Sequence, residues 1–94
     1  MPSGKAYTVE YTGAAARELA KIAKADKKLA RQIAATVTSL ADEPRPPAAT
    51  NYTAIPNAYR IRVRDHRILY TVTDTSVLVE VFRVEHRSSV YKKR

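Results

Sequence analysis

The chain has 94 residues, enough for one domain with a modest hydrophobic core. Lysine and arginine number 17 against 9 aspartate and glutamate residues, and the formal net charge of +8 favours an anionic partner: nucleic acid, an acidic protein or a membrane surface. The absence of cysteine excludes disulfides and thiolate metal sites, and two histidines without further ligands argue against structural zinc, so we expect neither metal nor cofactor.

The first residues do not resemble a signal peptide, and the hydropathy of the chain argues against a membrane span. Residues 1–5 lack the apolar core of a signal peptide, and no apolar run approaches the ~20 residues of a membrane span. We therefore expect a soluble, cytoplasmic protein with no membrane partner. It should form a single domain over residues 1–94, with residues 1–5 flexible.

The first half of the chain predicts a strand followed by a helical hairpin. Residues 6–11 alternate between apolar and polar types, which is typical of a strand with one buried face. Thr12 and Asp26 are suitable N-caps for two helices. The apolar side chains at helical spacing are Ala15, Leu19, Ile22 and Ala23, then Leu29, Ile33, Val37 and Leu40. Glu18 should face water, and Pro44 should end the second helix at about Asp42.

A proline-rich segment, residues 43–57, separates the helices from the second half of the chain. It contains four prolines and is long for a loop in so small a domain. Long ordered loops in compact domains are often functional, but a plain connector from the helices to the sheet fits equally well.

Residues 59–72 alternate apolar and cationic side chains and predict two strands joined by a turn at Asp65 and His66. This turn places Arg64 opposite Arg67. It also places Val63 opposite Ile68, and Ile61 opposite Tyr70. One face then carries the apolar side chains Tyr59, Ile61, Val63, Ile68, Tyr70 and Val72, and the other carries Arg60, Arg62, Arg64 and Arg67.

Four guanidinium groups on one sheet face repel one another, so the fold gains nothing from the cluster. A solvated strand face is the alternative explanation. The use of arginine without lysine favours phosphate binding instead, because the guanidinium group binds phosphate in a bidentate manner.

A turn at Asp74 and Thr75 precedes a third strand of the hairpin series, over residues 76–84. The expected register sets Val72 opposite Val77, with two further pairs: Tyr70 with Val79, and Ile68 with Val81. It also puts Leu78 and Phe82 beside Leu69 on the arginine face, as an uncovered apolar patch that indicates a partner surface.

The predicted order of secondary-structure elements is β-α-α-β-β-β, an α+β fold with a helical hairpin on one face of an antiparallel sheet. We expect a short helical turn at the C-terminus.

Two motifs carry a family resemblance. Residues 59–70 have the pattern Tyr-Arg-Ile-Arg-Val-x-Asp-x-Arg-Ile-x-Tyr, and residues 84–91 have Val-x-His-Arg-x-x-Val-Tyr. With the element order, these motifs resemble the RelE/ParE superfamily of bacterial toxins, and the RelE branch more closely. The resemblance covers nearly the whole chain. The superfamily often has glycine where this chain has Arg64, and lysine at the positions of Arg60 and Arg62.

The resemblance implies a toxin of a type II toxin–antitoxin system that cuts mRNA in the ribosomal A site. Its partners would be mRNA on the 70S ribosome, with contacts to 16S rRNA, and a cognate acidic antitoxin. The 2′-OH would attack the adjacent phosphate without a metal ion, which requires a base, an acid and stabilisation of the phosphorane. The residues matching catalytic positions are Arg60, Arg62, Arg67, Arg87 and Tyr91, and we add His86 as a candidate general acid.

Other residues receive supporting roles. The candidate RNA contacts are Arg64, His66, Lys92 and Lys93, and the candidate antitoxin contacts are Leu69, Leu78 and Phe82. The alternatives are structural: His86 as a linker that positions Arg87, His66 as a turn residue, and Tyr91 as an aromatic that covers the core.

Two other functions fit the same sequence. A ParE-like toxin shares the fold but inhibits DNA gyrase and has no nuclease chemistry. A non-catalytic RNA-binding module would also use a cationic sheet face.

Overall fold

The computed structural model describes residues 6–86, in which two helices pack on one face of a five-stranded sheet. The elements in chain order are β1 (Thr8–Tyr11), α1 (Gly13–Ala25), α2 (Lys27–Ser39), β2 (Thr50–Asn51), β3 (Ala58–Val63), β4 (His66–Thr73) and β5 (Leu78–His86). The predicted α+β fold class is confirmed. The predicted C-terminal helical turn and the flexible residues 1–5 lie outside the described residues.

Both helices begin where their N-caps predict. The Thr12 hydroxyl accepts a hydrogen bond from the Ala15 backbone N–H at 3.2 Å. The Asp26 carboxylate accepts one from the Leu29 N–H at 3.0 Å. Each cap satisfies a backbone donor that has no partner within the helix. Because Asp26 also ends α1, the two helices follow each other almost without a linker.

The second helix ends earlier than predicted, at Ser39 instead of about Asp42. The Leu40 N–H donates to the Val37 carbonyl at 3.0 Å, which is the tighter hydrogen bond of a 3₁₀ turn. Leu40, the residue after the helix end, is fully buried and lies four residues before Pro44.

The sheet has the order β1-β5-β4-β3-β2 and is mixed. β1 pairs with β5 in parallel, with Thr8 beside Leu78 and Tyr11 beside Val81, whereas the other neighbours are antiparallel. The prediction of a wholly antiparallel sheet was therefore wrong in this one pairing. The predicted loop 43–57 also contains β2, a two-residue strand at the edge of the sheet.

The β3–β4 hairpin has a different register from the predicted one. Arg62 pairs with Arg67, and Val63 pairs with His66. The turn therefore consists of Arg64 and Asp65, and Arg64 adopts a φ of 54° there. The observed pairing is displaced from the predicted pairing by two residues. Because side chains alternate between the two faces of a strand, a displacement of two residues leaves every strand residue on its predicted face.

The β4–β5 register is also displaced, because the connecting turn is longer than two residues. Val77 lies in this turn with a φ of 52°, and Val72 pairs with Val79 instead. A β-bulge next to Leu69 and Tyr70 then leaves Phe82 without a partner of its own. A bulge of this kind cannot be recognised from an alternating sequence.

The core lies between the helices and the inner face of the sheet. Its buried members are Ala15, Leu29, Ile33, Val37, Leu40, Ile61, Ile68, Tyr70, Val72, Val79, Val81 and Val84. Because side chains alternate along β3 and β4, the arginines of these strands lie on the face opposite the core.

No helix within residues 6–86 is long and apolar enough to cross a membrane.

Candidate functional site

Three arginines of the central hairpin line one cleft on the sheet face opposite the helices. Arg60 and Arg62 lie in β3, and Arg67 lies in β4. Together with Ala48 and Thr50 they line a cleft of about 310 Å³. Directly opposed residues of an antiparallel pair share a face, so the ladder itself brings Arg62 and Arg67 side by side.

The arginines of this cleft have no carboxylate partner among the residues that the structure describes. Within residues 6–86, the ion pairs of the arginines involve Arg45 and Arg83 instead. Guanidinium groups that share a face without counter-charges create a positive potential in the cleft. We call Arg60, Arg62 and Arg67 the arginine trio.

Arg64 is not part of the arginine trio, although the sequence predicted four arginines on one face. It lies in the β3–β4 turn, is exposed, and does not line the cleft. Its φ of 54° falls in the left-handed region that favours glycine. The turn thus explains in physical terms why glycine suits this position.

Glu18 and Arg83 form a polar contact at the outer edge of β5. Glu18 Oε1 accepts a hydrogen bond from the Val84 backbone N–H at 2.7 Å, and Glu18 Oε2 lies 3.5 Å from Arg83 Nε. Arg83 Nη2 also lies 3.8 Å from Glu85 Oε1. The prediction that Glu18 faces water was therefore wrong, because α1 runs beside a strand edge that β1 does not reach.

His66 and His86 face each other across β4 and β5. Their rings lie 5.0 Å apart and almost perpendicular, at 89°. Both residues lie on the helix side of the sheet, since Ile68 and Val84 two residues along are in the core. The structure therefore does not bring His86 to the arginine trio.

The environment of His66 disfavours its charged form. Its Nδ1 atom is buried and has no hydrogen-bond partner in the described part of the chain. Burial lowers the pKa of His66, and the neighbouring charge of His86 lowers it further, whereas Asp65 acts in the opposite direction. The two rings line a second cleft of about 350 Å³ beside Glu18 and Lys21 of α1.

The residues predicted to contact an antitoxin do not form an uncovered patch. Leu69 is only 3% exposed, and Leu78 and Phe82 are half-buried. The ring of Tyr52 lies 6.5 Å from that of Phe82 and helps to cover this face. Tyr52 is a further residue of this face that the sequence motifs do not indicate, although alternation from Thr50 places both residues on one face.

Arg45 holds in place the segment that contributes Ala48 and Thr50 to the arginine cleft. Its Nη2 donates to Asp74 Oδ2 at 3.0 Å, and its Nε donates to the Tyr59 hydroxyl at 2.9 Å. The Tyr7 hydroxyl donates to Asp74 Oδ1 at 2.7 Å. The hydrogen bonds from Tyr7 and Arg45 lower the pKa of the Asp74 carboxyl, so this anchor persists at neutral pH.

The remaining predicted site residues, Arg87, Tyr91, Lys92 and Lys93, lie outside the described residues. Within residues 6–86, no group of three or more histidine, aspartate or glutamate side chains is placed to hold a metal ion.

Comparison with known proteins identifies the family. The family model described as "ParE toxin of type II toxin-antitoxin system, parDE" matches residues 9–91. The chain belongs to this ParE toxin family. It is a toxin of a type II toxin–antitoxin system within the RelE/ParE superfamily, and the predicted resemblance is confirmed. Comparison with curated sequences gives no match.

Solved structures similar to this family member come from both branches of the superfamily. The isolated RelE toxin of E. coli is 28% identical, with a TM-score of 0.74 and 92% of each chain covered. The RelBE2 toxin–antitoxin complex of Mycobacterium tuberculosis contains a chain 23% identical, with a TM-score of 0.74, covering 94% of this chain and 99% of that one. The chromosomal ParDE system of P. aeruginosa contains a chain 14% identical, with a TM-score of 0.69, covering 85% and 95%.

Proposed function

We propose that this toxin is a ribosome-dependent endoribonuclease that cuts mRNA in the A site and so stops translation and growth. The observation that supports this function is the arginine trio, three guanidinium groups that line one cleft and have no carboxylate partner within residues 6–86. A cleft of this kind suits the phosphate of an RNA strand, because arginine binds phosphate in a bidentate manner.

The arginine trio supplies charge stabilisation in the proposed reaction. The 2′-OH loses its proton and attacks the adjacent phosphorus, the P–O5′ bond breaks, and the departing oxygen gains a proton. The products carry a 2′,3′-cyclic phosphate and a 5′-OH. Guanidinium groups that contact the phosphorane lower the barrier because negative charge develops there.

Proton transfer has to come from other groups, because arginine keeps its proton up to a pH of roughly 12. His86 lies on the opposite sheet face, so we assign proton transfer to Tyr91 and further charge stabilisation to Arg87, both of which follow β5 in the sequence. Arg64, Lys92 and Lys93 add phosphate contacts outside the cleft.

An acidic antitoxin is the proposed partner that neutralises the toxin. The RelBE2 structure and the intact RelBE structure of E. coli are both toxin–antitoxin complexes. Carboxylates of a partner would pair with the arginine trio, since no carboxylate within residues 6–86 does so. Such a partner would block access of RNA to the cleft.

The decisive experiment is cleavage of mRNA in a purified translation system, with the cut sites mapped by primer extension. We expect cuts within the A-site codon, and none when the nucleotide at the cut carries a 2′-deoxy sugar, because the nucleophile is then missing. Intact mRNA together with inhibited DNA supercoiling would contradict the nuclease function.

Gyrase inhibition is the second candidate function, and the match to the ParE family model favours it. A supercoiling assay with purified gyrase tests it directly. The nuclease proposal predicts full supercoiling activity in that assay.

A further inference from the structure

Tyr52 and Phe82 form an aromatic pair on the same sheet face as the arginine trio. Their ring centroids are 6.5 Å apart and the rings are inclined at 52°. Tyr52 follows Thr50, which lines the arginine cleft, and alternation along the extended chain places both on one face. Phe82 occupies the β-bulge next to Arg83, and bulges re-aim side chains.

This pair is separate from the core on the helix side. Neither ring belongs to the core cluster, and both are half-buried. Ala58 and Leu69, which lie on this face, are each only 3% exposed, so the face around the pair is well packed. Because the two rings are only half-buried, part of their surface is available to a ligand.

The segment that carries Tyr52 is ordered by backbone hydrogen bonds. The Tyr52 N–H donates to the Ala58 carbonyl at 2.9 Å, and the Tyr52 carbonyl accepts from the Ile55 N–H at 3.3 Å. The Val72 N–H donates to the Asn57 carbonyl at 3.0 Å. A segment ordered in this way loses little backbone conformational entropy when a ligand binds.

We propose that Tyr52 and Phe82 are a stacking platform for a nucleobase of the same RNA strand whose phosphate lies on the arginine trio, an inference that rests on the proposed function. Tyr52 is hydrogen-bonded to Ala58, two residues before Arg60, and two residues of a strand span roughly 7 Å. Single-stranded RNA is typically bound in this way, with cations on the backbone and aromatic rings on the bases. The platform thus contributes to the choice of codon.

The test uses 70S ribosomes programmed with mRNA that carries 2-aminopurine at one of the three A-site positions. A 2′-O-methyl group at the cut nucleotide prevents cleavage, so binding is measured alone. We expect the wild-type toxin to quench 2-aminopurine at one codon position, because stacking on a ring quenches its fluorescence. Tyr52→Phe should behave like the wild type, and Tyr52→Leu should lose the quenching and bind on the order of tenfold more weakly.

Ile55→Ala is the matched control, since Ile55 is an exposed apolar side chain, 39% accessible, on the same segment. It should bind and quench as the wild type does. Phe82→Leu provides a second variant if Tyr52→Leu fails to fold. Position-specific quenching by the wild-type toxin is itself a test of the platform and requires no variant.

Several outcomes would overturn the platform. One is equal quenching by Tyr52→Leu and the wild type, and another is no position-specific quenching by the wild type. Weaker antitoxin binding by Tyr52→Leu with unchanged quenching would assign the pair to the protein partner instead. Cleavage of unmodified mRNA by the wild type is measured in parallel, so failure of the platform is distinguished from failure of the proposed function.

Discussion

Arg62 and Arg67 lie directly opposite each other in the antiparallel ladder of β3 and β4, on the face away from the helices. Like charges at opposed positions destabilise a sheet. The pair therefore weakens the free protein at the position where an anion would bind and compensate the charge.

Replacing Arg67 by alanine separates function from stability. We expect Arg67→Ala to relieve growth arrest on expression, because the cleft loses a phosphate contact. Its free energy of unfolding in urea should be unchanged or higher by about 0.5 kcal/mol, because the repulsion with Arg62 is gone. Arg31→Ala, at an exposed position of α2, is the control and should remain toxic. Full toxicity of a well-expressed Arg67→Ala protein would count against the cleft as the active site.

Replacing Arg64 by glycine should stabilise the protein. A non-glycine residue in the left-handed region costs about 1 kcal/mol, and glycine adopts the φ of 54° freely. We expect Arg64→Gly to raise the free energy of unfolding by about that amount and to lose less toxicity than Arg67→Ala, since Arg64 contacts phosphate only outside the cleft. Arg64→Ala removes the same charge but keeps the strain, so a gain in stability with alanine would contradict this explanation.

Glu18 should be important for stability because it satisfies a backbone donor at the edge of β5. Glu18→Ala leaves the Val84 N–H without its acceptor, and a buried donor without a partner costs about 1 to 2 kcal/mol. Glu18→Gln retains a carbonyl acceptor and should lose less. Hydrogen exchange at the Val84 amide provides the local measurement, and unchanged protection in Glu18→Ala would refute the role.

Stability should fall at acidic pH partly because of His66. Its pKa in the folded protein is lowered, chiefly by burial and then by His86, so the unfolded chain takes up the proton first as the pH falls below roughly 6.5. The contribution of His66 is therefore complete above that pH and declines below it. Glu18, Lys21 and His86 are the other charged or titratable side chains that line the cleft beside His66, together with Arg83 and Glu85.

His66→Phe tests this linkage. The variant should lose part of the decline in the free energy of unfolding between neutral pH and pH 5. His66→Phe should also be more stable at neutral pH by about 1 kcal/mol. The substitution removes a buried polar atom, Nδ1, that has no hydrogen-bond partner within residues 6–86. Urea unfolding at several pH values measures both effects, and an unchanged pH slope would show that His66 is not the responsible group.

Local patterns account for much of the fold and for the cationic part of the site. The capping residues Thr12 and Asp26 predict the helix starts, since a cap depends only on the next few residues. Alternation assigns Arg60 and Arg62 to the face opposite the core, and a displaced register leaves that assignment intact. The motifs at residues 59–70 and 84–91 were enough to predict the superfamily.

Which residues share a site depends on the tertiary structure. Which strand lies beside β1, where the β5 bulge falls and how the turns are built depend on contacts between segments far apart in the chain. Those contacts remove Arg64 from the cleft and put His86 on the opposite face of the sheet. They also bring Tyr52 to Phe82. The helices, the strands other than β2, the outward face of those strands and the positive charge follow from the amino-acid sequence alone, because composition and local patterns set them. The cleft required the assembled sheet, because strand register and long-range packing set the distances between its side chains.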